Sequence, residues 1–106
     1  MNNEIEQVIS KIQKVLKGKY IDFKGVYFYG SRVKDNYNND SDYDLVIAFD
    51  REIDWKFKYE IRDIIYDIEL KSELMIDAKI YDIKEILNPV TPFRKIVKEE
   101  GIFYAG

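Results

Sequence analysis

Two aspartates separated by one residue are the first side chains in this sequence that could do chemistry together. Asp42 and Asp44 lead into the apolar run 45–49, which predicts a strand over 43–49. Side chains two residues apart on a strand share a face, with Cα atoms roughly 6.5 to 7 Å apart. Two bare carboxylates about 5 Å apart repel by roughly 3 kcal/mol at an effective dielectric of about 20, and a divalent cation such as Mg²⁺ turns that repulsion into ligation. The ordinary alternative is a pair of turn aspartates that accept backbone hydrogen bonds.

A third acid, Asp77, lies in the apolar run LMIDAKI, where Lys79 is the one charged neighbour. An ionised group in such a strand costs several kcal/mol unless it is paired or ligated. Beside the strand 43–49 it would complete a carboxylate triad with Asp42 and Asp44 that could hold two metal ions, and it could help to remove a proton from a substrate hydroxyl. A salt bridge with Lys79 or with an arginine of a neighbouring strand, or an outward-facing position, would explain Asp77 equally well.

A glycine and a serine follow the aromatic run 26–29, where a strand must turn. Gly30 allows close approach of the backbone, and Ser31 with the amides after it could bind terminal phosphate oxygens. Arg32 and Lys34 are candidates to neutralise phosphate charge, although an ordinary turn and, for Lys34, a solvated surface charge are the alternatives. Together with the paired acids, this loop suits a nucleoside triphosphate with its magnesium.

Length and composition limit what else the chain could do. With 106 residues, we expect one domain over 1–106. The absence of cysteine and histidine excludes disulfides, zinc–thiolate sites, cysteine nucleophiles and histidine bases. A net charge of −3 makes nucleic acid an unlikely partner. No apolar run approaches the ~18 residues of a membrane span, and the N-terminus lacks a signal-peptide core, so we expect a cytoplasmic protein without membrane contact.

The elements that must position these residues follow from periodicity and caps. Both faces of the strand 43–49 are apolar, which indicates a sheet covered on both sides and hence an α/β (α+β) fold with a small mixed sheet flanked by helices. The predicted helices are 4–17 ending at Gly18, 55–70 capped by Asp54 or Asp50, a short one that could begin at Ser31, and one from Thr91-Pro92 to about Glu100. The predicted strands are 25–29, 43–49 and 73–81, with 82–87 as a turn or edge strand and an apolar tail that packs back on the body.

The spacing of these motifs resembles that of a known superfamily. Gly30-Ser31, ten residues, then Asp42-x-Asp44, with a third in-strand acid at Asp77 about thirty residues on, is similar to the nucleotidyltransferases, and in particular to the minimal nucleotidyltransferases. The closing PFRKIVKEEGIFY also resembles the C-terminal helix of that family, so the resemblance covers most of the chain. Relatives often have a glycine shortly after Gly-Ser-Arg, whereas this chain has Lys-Asp-Asn there.

The resemblance implies roles for these residues and a setting for the protein. Gly30, Ser31 and Arg32 would hold the triphosphate of ATP, Asp42 and Asp44 would bind Mg²⁺, with two ions expected, and Asp77 would be the third catalytic carboxylate. Minimal nucleotidyltransferases are commonly the antitoxin of a type VII toxin–antitoxin pair with a small helical HEPN-domain protein, and they transfer AMP to a tyrosine of that toxin.

Two other functions are compatible with the same residues. The protein could be a non-catalytic antitoxin that acts by direct contact and whose acids are vestigial. It could also transfer a nucleotide to RNA or to a small molecule such as an aminoglycoside. The acidic net charge and the size of the chain disfavour these acceptors and favour an acceptor site shared with a partner protein.

Overall fold

The computed structural model describes residues 3–30, 32–33 and 42–106, and these residues form four helices and four strands. The helices are α1 (Asn3–Lys19), α2 (Trp55–Ser72), α3 (Ile83–Leu87) and α4 (Pro92–Glu100). The strands are β1 (Phe23–Tyr29), β2 (Tyr43–Phe49), β3 (Ile76–Asp82) and β4 (Ile102–Ala105). No helix within these ranges has both the length and the apolar character that a bilayer crossing requires.

The four strands form one mixed sheet in the order β3-β2-β1-β4. Strand β1 pairs antiparallel with both β2 and β4, whereas β2 and β3 are parallel. Parallel neighbours need a long crossover connection, which α2 supplies between β2 and β3. The predicted fold class, a small mixed sheet flanked by helices, is confirmed.

Strand β2 lies at the centre of two apolar layers. Leu45, Ile47 and Phe49 are fully buried against α1 and α2, while Val46 is buried on the other face with Ile86 of α3 and Val97 of α4. The alternation along β2 therefore assigns every odd position to the α1/α2 face and every even position to the α3/α4 face. The sequence prediction that both faces of this strand are covered is confirmed.

Capping residues fix the ends of two helices as predicted. The Asp54 carboxylate accepts a hydrogen bond from the Phe57 amide at 2.8 Å and begins α2. The Thr91 hydroxyl accepts one from the Arg94 amide at 3.3 Å, with proline in the first turn of α4. Helix α4 then ends at Glu100, directly before Gly101, as expected.

Predictions for three segments differ from the structure in bounds or type. Helix α1 continues through Gly18 to Lys19, because a glycine can remain helical where packing of the rest of the helix holds it. Strand β3 begins at Ile76, because Glu73 adopts a left-handed conformation (φ 62°) that ends α2. Residues 83–87 form a short helix capped by Asp82, where the sequence predicts a turn or an edge strand. The apolar tail packs back on the body as predicted, and it does so as β4, paired with β1. The predicted helix at Ser31 lies outside the described residues.

Candidate active site

Asp44 and Asp77 face each other across neighbouring strands. The parallel register of β2 and β3 pairs the two residues directly, and paired residues of a sheet point to the same face. Asp44 lies two residues before Val46, and Asp77 lies four before Tyr81; both of those side chains pack on the α3/α4 face. The two carboxylates therefore share that face of the sheet, at the end where β2 begins.

The electrostatics of Asp44 reflect this proximity. Burial raises the pKa of the Asp44 carboxyl, repulsion from Asp77 raises it further, Asp42 adds a smaller repulsion, and the Lys79 ammonium opposes them. Repulsion between neighbouring carboxylates is the signature of a site whose acids are short of positive charge. The pair thus favours binding of a cation.

Lys79 supplies part of the missing positive charge. Its ammonium lies 2.9 Å from Oδ2 of Asp77, in the salt bridge that the sequence offered as one explanation of that acid. Burial lowers the pKa of Lys79, but its hydrogen bond to Asp77 and the nearby Tyr29 raise it by more, so the net shift is upward. The Asp77 side chain remains 47% exposed, so a ligand can reach it from solvent.

Tyr29 is a site residue that the sequence analysis missed. Strand β1 pairs it with Asp44, and its side chain is 7% exposed. Its buried hydroxyl makes no hydrogen bond of ordinary geometry among the described residues, although the Lys79 ammonium lies close enough to interact with it and the ring packs edge-on against Phe93 at 5.4 Å. Burial is the main cause that raises the pKa of Tyr29 to about 12. The alternation that buries Tyr27 on this face could have indicated that Tyr29 points the same way as Asp44.

Gly30 lies directly against Asp44. Its φ of +90° is unfavourable for other residues, and a Cβ at this position would overlap Oδ2 of Asp44. The carbonyl of Gly30 accepts a hydrogen bond from the Val33 amide at 3.2 Å, which closes a turn after β1. The sequence predicts a close approach of the backbone at Gly30, and in the structure the Gly30 backbone closely approaches the Asp44 carboxylate.

Of the other residues predicted to bind or neutralise phosphate, the structure describes Arg32. Ser31 and Lys34 lie outside the described residues. Arg32 stacks over the Tyr43 ring at 4.3 Å and donates a hydrogen bond to its hydroxyl at 3.3 Å. Because Tyr43 belongs to the α1/α2 core, these contacts hold Arg32 toward the face opposite Asp44.

Asp42 is exposed and lies just before β2, within electrostatic reach of Asp44. Over residues 3–30, 32–33 and 42–106, no group of three or more acidic, histidine or cysteine side chains is arranged to hold a metal ion. Asp44 and Asp77 nevertheless offer oxygen donors of the kind that Mg²⁺ prefers. A bound cation would also relieve the repulsion between the two carboxylates. The donor chemistry of this pair fits magnesium.

The sequence matches a known family over most of its length. A family model described as "Polymerase beta, Nucleotidyltransferase" matches residues 10–104. This chain belongs to the nucleotidyltransferase family. The predicted family and enzyme class are therefore confirmed: the protein is a nucleotidyltransferase.

Individual relatives agree with this assignment. A protein of Methanocaldococcus jannaschii named "Putative protein adenylyltransferase MJ0128" is 27% identical over 103 residues, which is 96% of this chain and 95% of that protein. A "putative nucleotidyltransferase" from Sulfolobus solfataricus has the same fold, with a TM-score of 0.64 and 15% identity over 98% of this chain and 87% of its own. A toxin–antitoxin structure with AMP-PNP superposes with a TM-score of 0.63 and 17% identity, over 89% of this chain and 69% of that one.

Proposed function

We propose that this nucleotidyltransferase transfers AMP from ATP to a hydroxyl group of a partner protein, with Mg²⁺ as cofactor. The observation that carries the proposal is the pairing of Asp44 with Asp77 on one face of the sheet, beside the turn at Gly30. Such a pair at a strand end, next to a glycine turn, suits a metal-bound triphosphate.

Each residue has a role in this proposal. Asp44 and Asp77, with Asp42 as a third ligand, would hold Mg²⁺, and two ions are expected. The ions would offset the triphosphate charge and activate the attacking oxygen. The turn after β1, with Gly30, Ser31 and Arg32, would bind the triphosphate. Arg32 would have to leave Tyr43 to reach a phosphate on the Asp44 side.

The transfer itself exchanges a phosphoanhydride bond of ATP for a phosphoester bond to the acceptor. The acceptor hydroxyl oxygen forms a bond to the α-phosphorus, the bond from that phosphorus to the bridging oxygen breaks, and pyrophosphate leaves with the electron pair. Asp77 accepts the hydroxyl proton, for which its half-exposed carboxylate is accessible. Tyr29 is buried beside Asp44 and would keep water away from the side of that carboxylate that faces the protein interior.

A protein acceptor is supported by what the relatives are named for. The M. jannaschii relative is named as a protein adenylyltransferase, and similar folds occur in toxin–antitoxin structures, including MntA–HpeT. We infer that the acceptor is a tyrosine of a small helical HEPN-domain toxin and that this chain is its antitoxin.

One observation favours a second function, that of an antitoxin acting by contact alone. The observation is that Lys79 already neutralises Asp77 in a salt bridge. Under this alternative, a variant with both Asp44→Asn and Asp77→Asn still silences the toxin in cells. Under the catalytic proposal, that variant fails to silence it.

ATP labelled on the α-phosphate tests the activity directly. The protein with Mg²⁺ is offered a purified small HEPN-domain protein, transfer RNA and an aminoglycoside in parallel. Label on the HEPN protein, lost in Asp44→Asn, supports the proposal, and label confined to RNA or antibiotic assigns a different acceptor class. Label transfer that survives both Asp44→Asn and Asp77→Asn contradicts the mechanism.

A further inference from the structure

The outer face of α2 carries a stripe of large apolar side chains that the fold does not cover. Trp55, Tyr59, Tyr66 and Leu70 are between 58% and 66% exposed. Their spacing of four, seven and four residues places them along one side of the helix. We call these four residues the α2 stripe. Exposed aromatics in a row along a helix indicate a surface that binds a partner.

A groove of about 490 Å³ lies between this stripe and β3. Tyr59, Arg62 and Tyr66 line it from α2, and Ile76, Asp77 and Ala78 line it from β3. We call this space the β3 groove. Asp77 lines the groove at the edge of the sheet, and its carboxylate lies on the opposite face with that of Asp44, so the groove runs alongside the strand that carries the candidate active site.

The backbone of β3 is open along this groove. Strand β3 lies at one edge of the sheet that the described residues form. The Met75 carbonyl accepts a hydrogen bond from the Tyr43 amide of β2 at 2.8 Å, so alternation directs the backbone groups of Asp77 toward β2 and those of Ile76 and Ala78 outward. The Glu69 carboxylate accepts a hydrogen bond from the outward amide of Ile76 at 2.8 Å. The next residue whose backbone groups point outward is Ala78, which lines the groove.

We propose that the β3 groove binds an extended segment of the protein acceptor, which adds to β3 as a further strand; this inference rests on the proposed function. An added strand places successive side chains on opposite faces of the sheet. Acceptor residues on the α2 side of the added strand contact Tyr59 and Tyr66. The acceptor residue between two such residues lies on the same face of the sheet as Asp77. The acceptor motif is therefore a hydroxyl residue flanked on both sides by apolar residues.

Charge in the groove favours a peptide over a nucleic acid. Three acids, Asp63, Glu69 and Asp77, line it against one base, Arg62. A phosphate backbone needs a basic path, and this lining repels it. An extended peptide with apolar side chains matches both the aromatic wall and the open strand edge.

Geometry links this binding mode to the reaction. Side chains directly opposite each other on paired strands have Cβ atoms about 4.5–5.5 Å apart. A hydroxyl residue opposite Asp77 can pass its proton to that carboxylate while its oxygen bonds to the α-phosphorus and pyrophosphate leaves. The flanking apolar residues thus select which hydroxyl of the acceptor is modified.

Two fluorescein-labelled peptides of equal composition test the proposal. The first, Lys-Thr-Lys-Val-Tyr-Val-Lys-Thr-Lys, places valines on the face opposite its tyrosine. The second, Lys-Thr-Val-Lys-Tyr-Lys-Val-Thr-Lys, places them on the same face. Fluorescence anisotropy without nucleotide is expected to show about tenfold tighter binding of the first peptide.

Protein variants then locate the bound peptide. Tyr59→Ala combined with Tyr66→Ala is expected to weaken binding of the first peptide about tenfold. Ile21→Ala combined with Val90→Ala removes two other exposed apolar side chains, which are 103% and 82% exposed, and is expected to change binding less than about twofold. All four substitutions are at exposed positions, and thermal melts confirm that each variant folds.

Equal affinity for the two peptides, or unchanged binding in the Tyr59/Tyr66 variant, would overturn the groove proposal. The same peptides with α-labelled ATP and Mg²⁺ give a separate readout of transfer. Preferential labelling of the first peptide supports the groove as the acceptor site. Selective peptide binding without any nucleotidyl transfer contradicts the proposed function and leaves the groove as a peptide-binding site.

Discussion

The backbone of Gly30 and the carboxylate of Asp44 lie so close together that only a glycine fits at position 30. A Cβ on Gly30 would overlap Oδ2 of the Asp44 carboxylate and lie 3.1 Å from its Cγ. The φ of +90° at Gly30 would strain any other residue even without that contact. The turn after β1 and the first carboxylate of β2 are therefore one packed unit, and a change at either residue displaces the other.

Gly30→Ala is expected to damage both stability and activity. Strain at a positive φ lowers the free energy of unfolding by about 1–3 kcal/mol, and displacement of Asp44 weakens AMP transfer. Urea unfolding and label transfer measure the two effects. Gly18→Ala is the matched control, because Gly18 is helical with no atom within 4 Å of its added Cβ, and it is expected to raise stability by about 0.5–1 kcal/mol.

Lys79→Met is expected to tighten binding of a divalent cation in the absence of nucleotide. The Lys79 ammonium and the cation compete for the Asp77 carboxylate, so removing the ammonium favours the cation. The expected gain in Mn²⁺ affinity is about two- to fivefold, as for a partly exposed ion pair. Calorimetric titration with Mn²⁺ measures it.

Lys24→Met is the control for that change, because Lys24 is exposed on β1 at the end of the strand far from Gly30. It removes the same charge and is expected to leave Mn²⁺ affinity nearly unchanged. An equal gain in both variants would show a general charge effect. Weaker Mn²⁺ binding in Lys79→Met would show that Lys79 does not compete with the ion.

Tyr29→Phe is expected to stabilise the fold while keeping its shape. It removes a buried hydroxyl that makes no hydrogen bond of ordinary geometry among the described residues, the nearby Lys79 ammonium included, and such a group costs about 1–3 kcal/mol. We expect the free energy of unfolding to rise by about 1 kcal/mol, measured by urea unfolding. Tyr27→Phe, on the same face of β1, serves as the comparison; a loss of stability confined to Tyr29→Phe would mean that its hydroxyl is bonded.

The ion pair between Asp22 and Arg51 gives a pH dependence away from the site. The Arg51 hydrogen bond holds the pKa of the Asp22 carboxyl below its ordinary value of 3.8. A depressed pKa in the folded state stabilises the protein above the ordinary value, and this gain disappears as the pH falls through the lowered pKa. Asp22→Asn is thus expected to cost about 0.2–1 kcal/mol at pH 7 and less as the pH falls below 3.8.

Urea unfolding at pH 7, 5 and 3 measures that difference. Asp67→Asn, at an exposed position of α2, is the control and is expected to show no comparable loss at pH 7. A deficit in Asp22→Asn that stays constant down to pH 3 would show that the carboxylate charge does not stabilise the fold.

Local signals in the sequence predict helices and strands better than they predict which strands pair with each other. The range of β2 is predicted to the residue, because both of its faces are apolar and Asp42 directly precedes its first residue. The caps at Asp54 and Thr91 are likewise local. Strand β4 is missed because four residues become a strand only by pairing with β1.

The candidate site shows the same limit. Residue types and spacing indicate Gly30, Asp44 and Asp77, but their mutual placement depends on the β2–β3 register, which the α2 crossover sets. The Lys79 salt bridge is among the sequence alternatives, since residues two apart on a strand share a face. The Tyr29 ring packs against Phe93, about sixty residues away, and no local sequence pattern indicates that contact.

The most direct test asks whether Asp44 and Asp77 act as one centre. Binding of AMP-PNP in the presence of Mn²⁺ is measured for the wild type, Asp44→Asn, Asp77→Asn and the double variant, with Asp67→Asn as control. We predict that each single substitution loses about as much affinity as the double, because removing either carboxylate dismantles a shared site. Independent losses that add in free energy, or AMP-PNP binding unchanged in both single variants, would contradict the account.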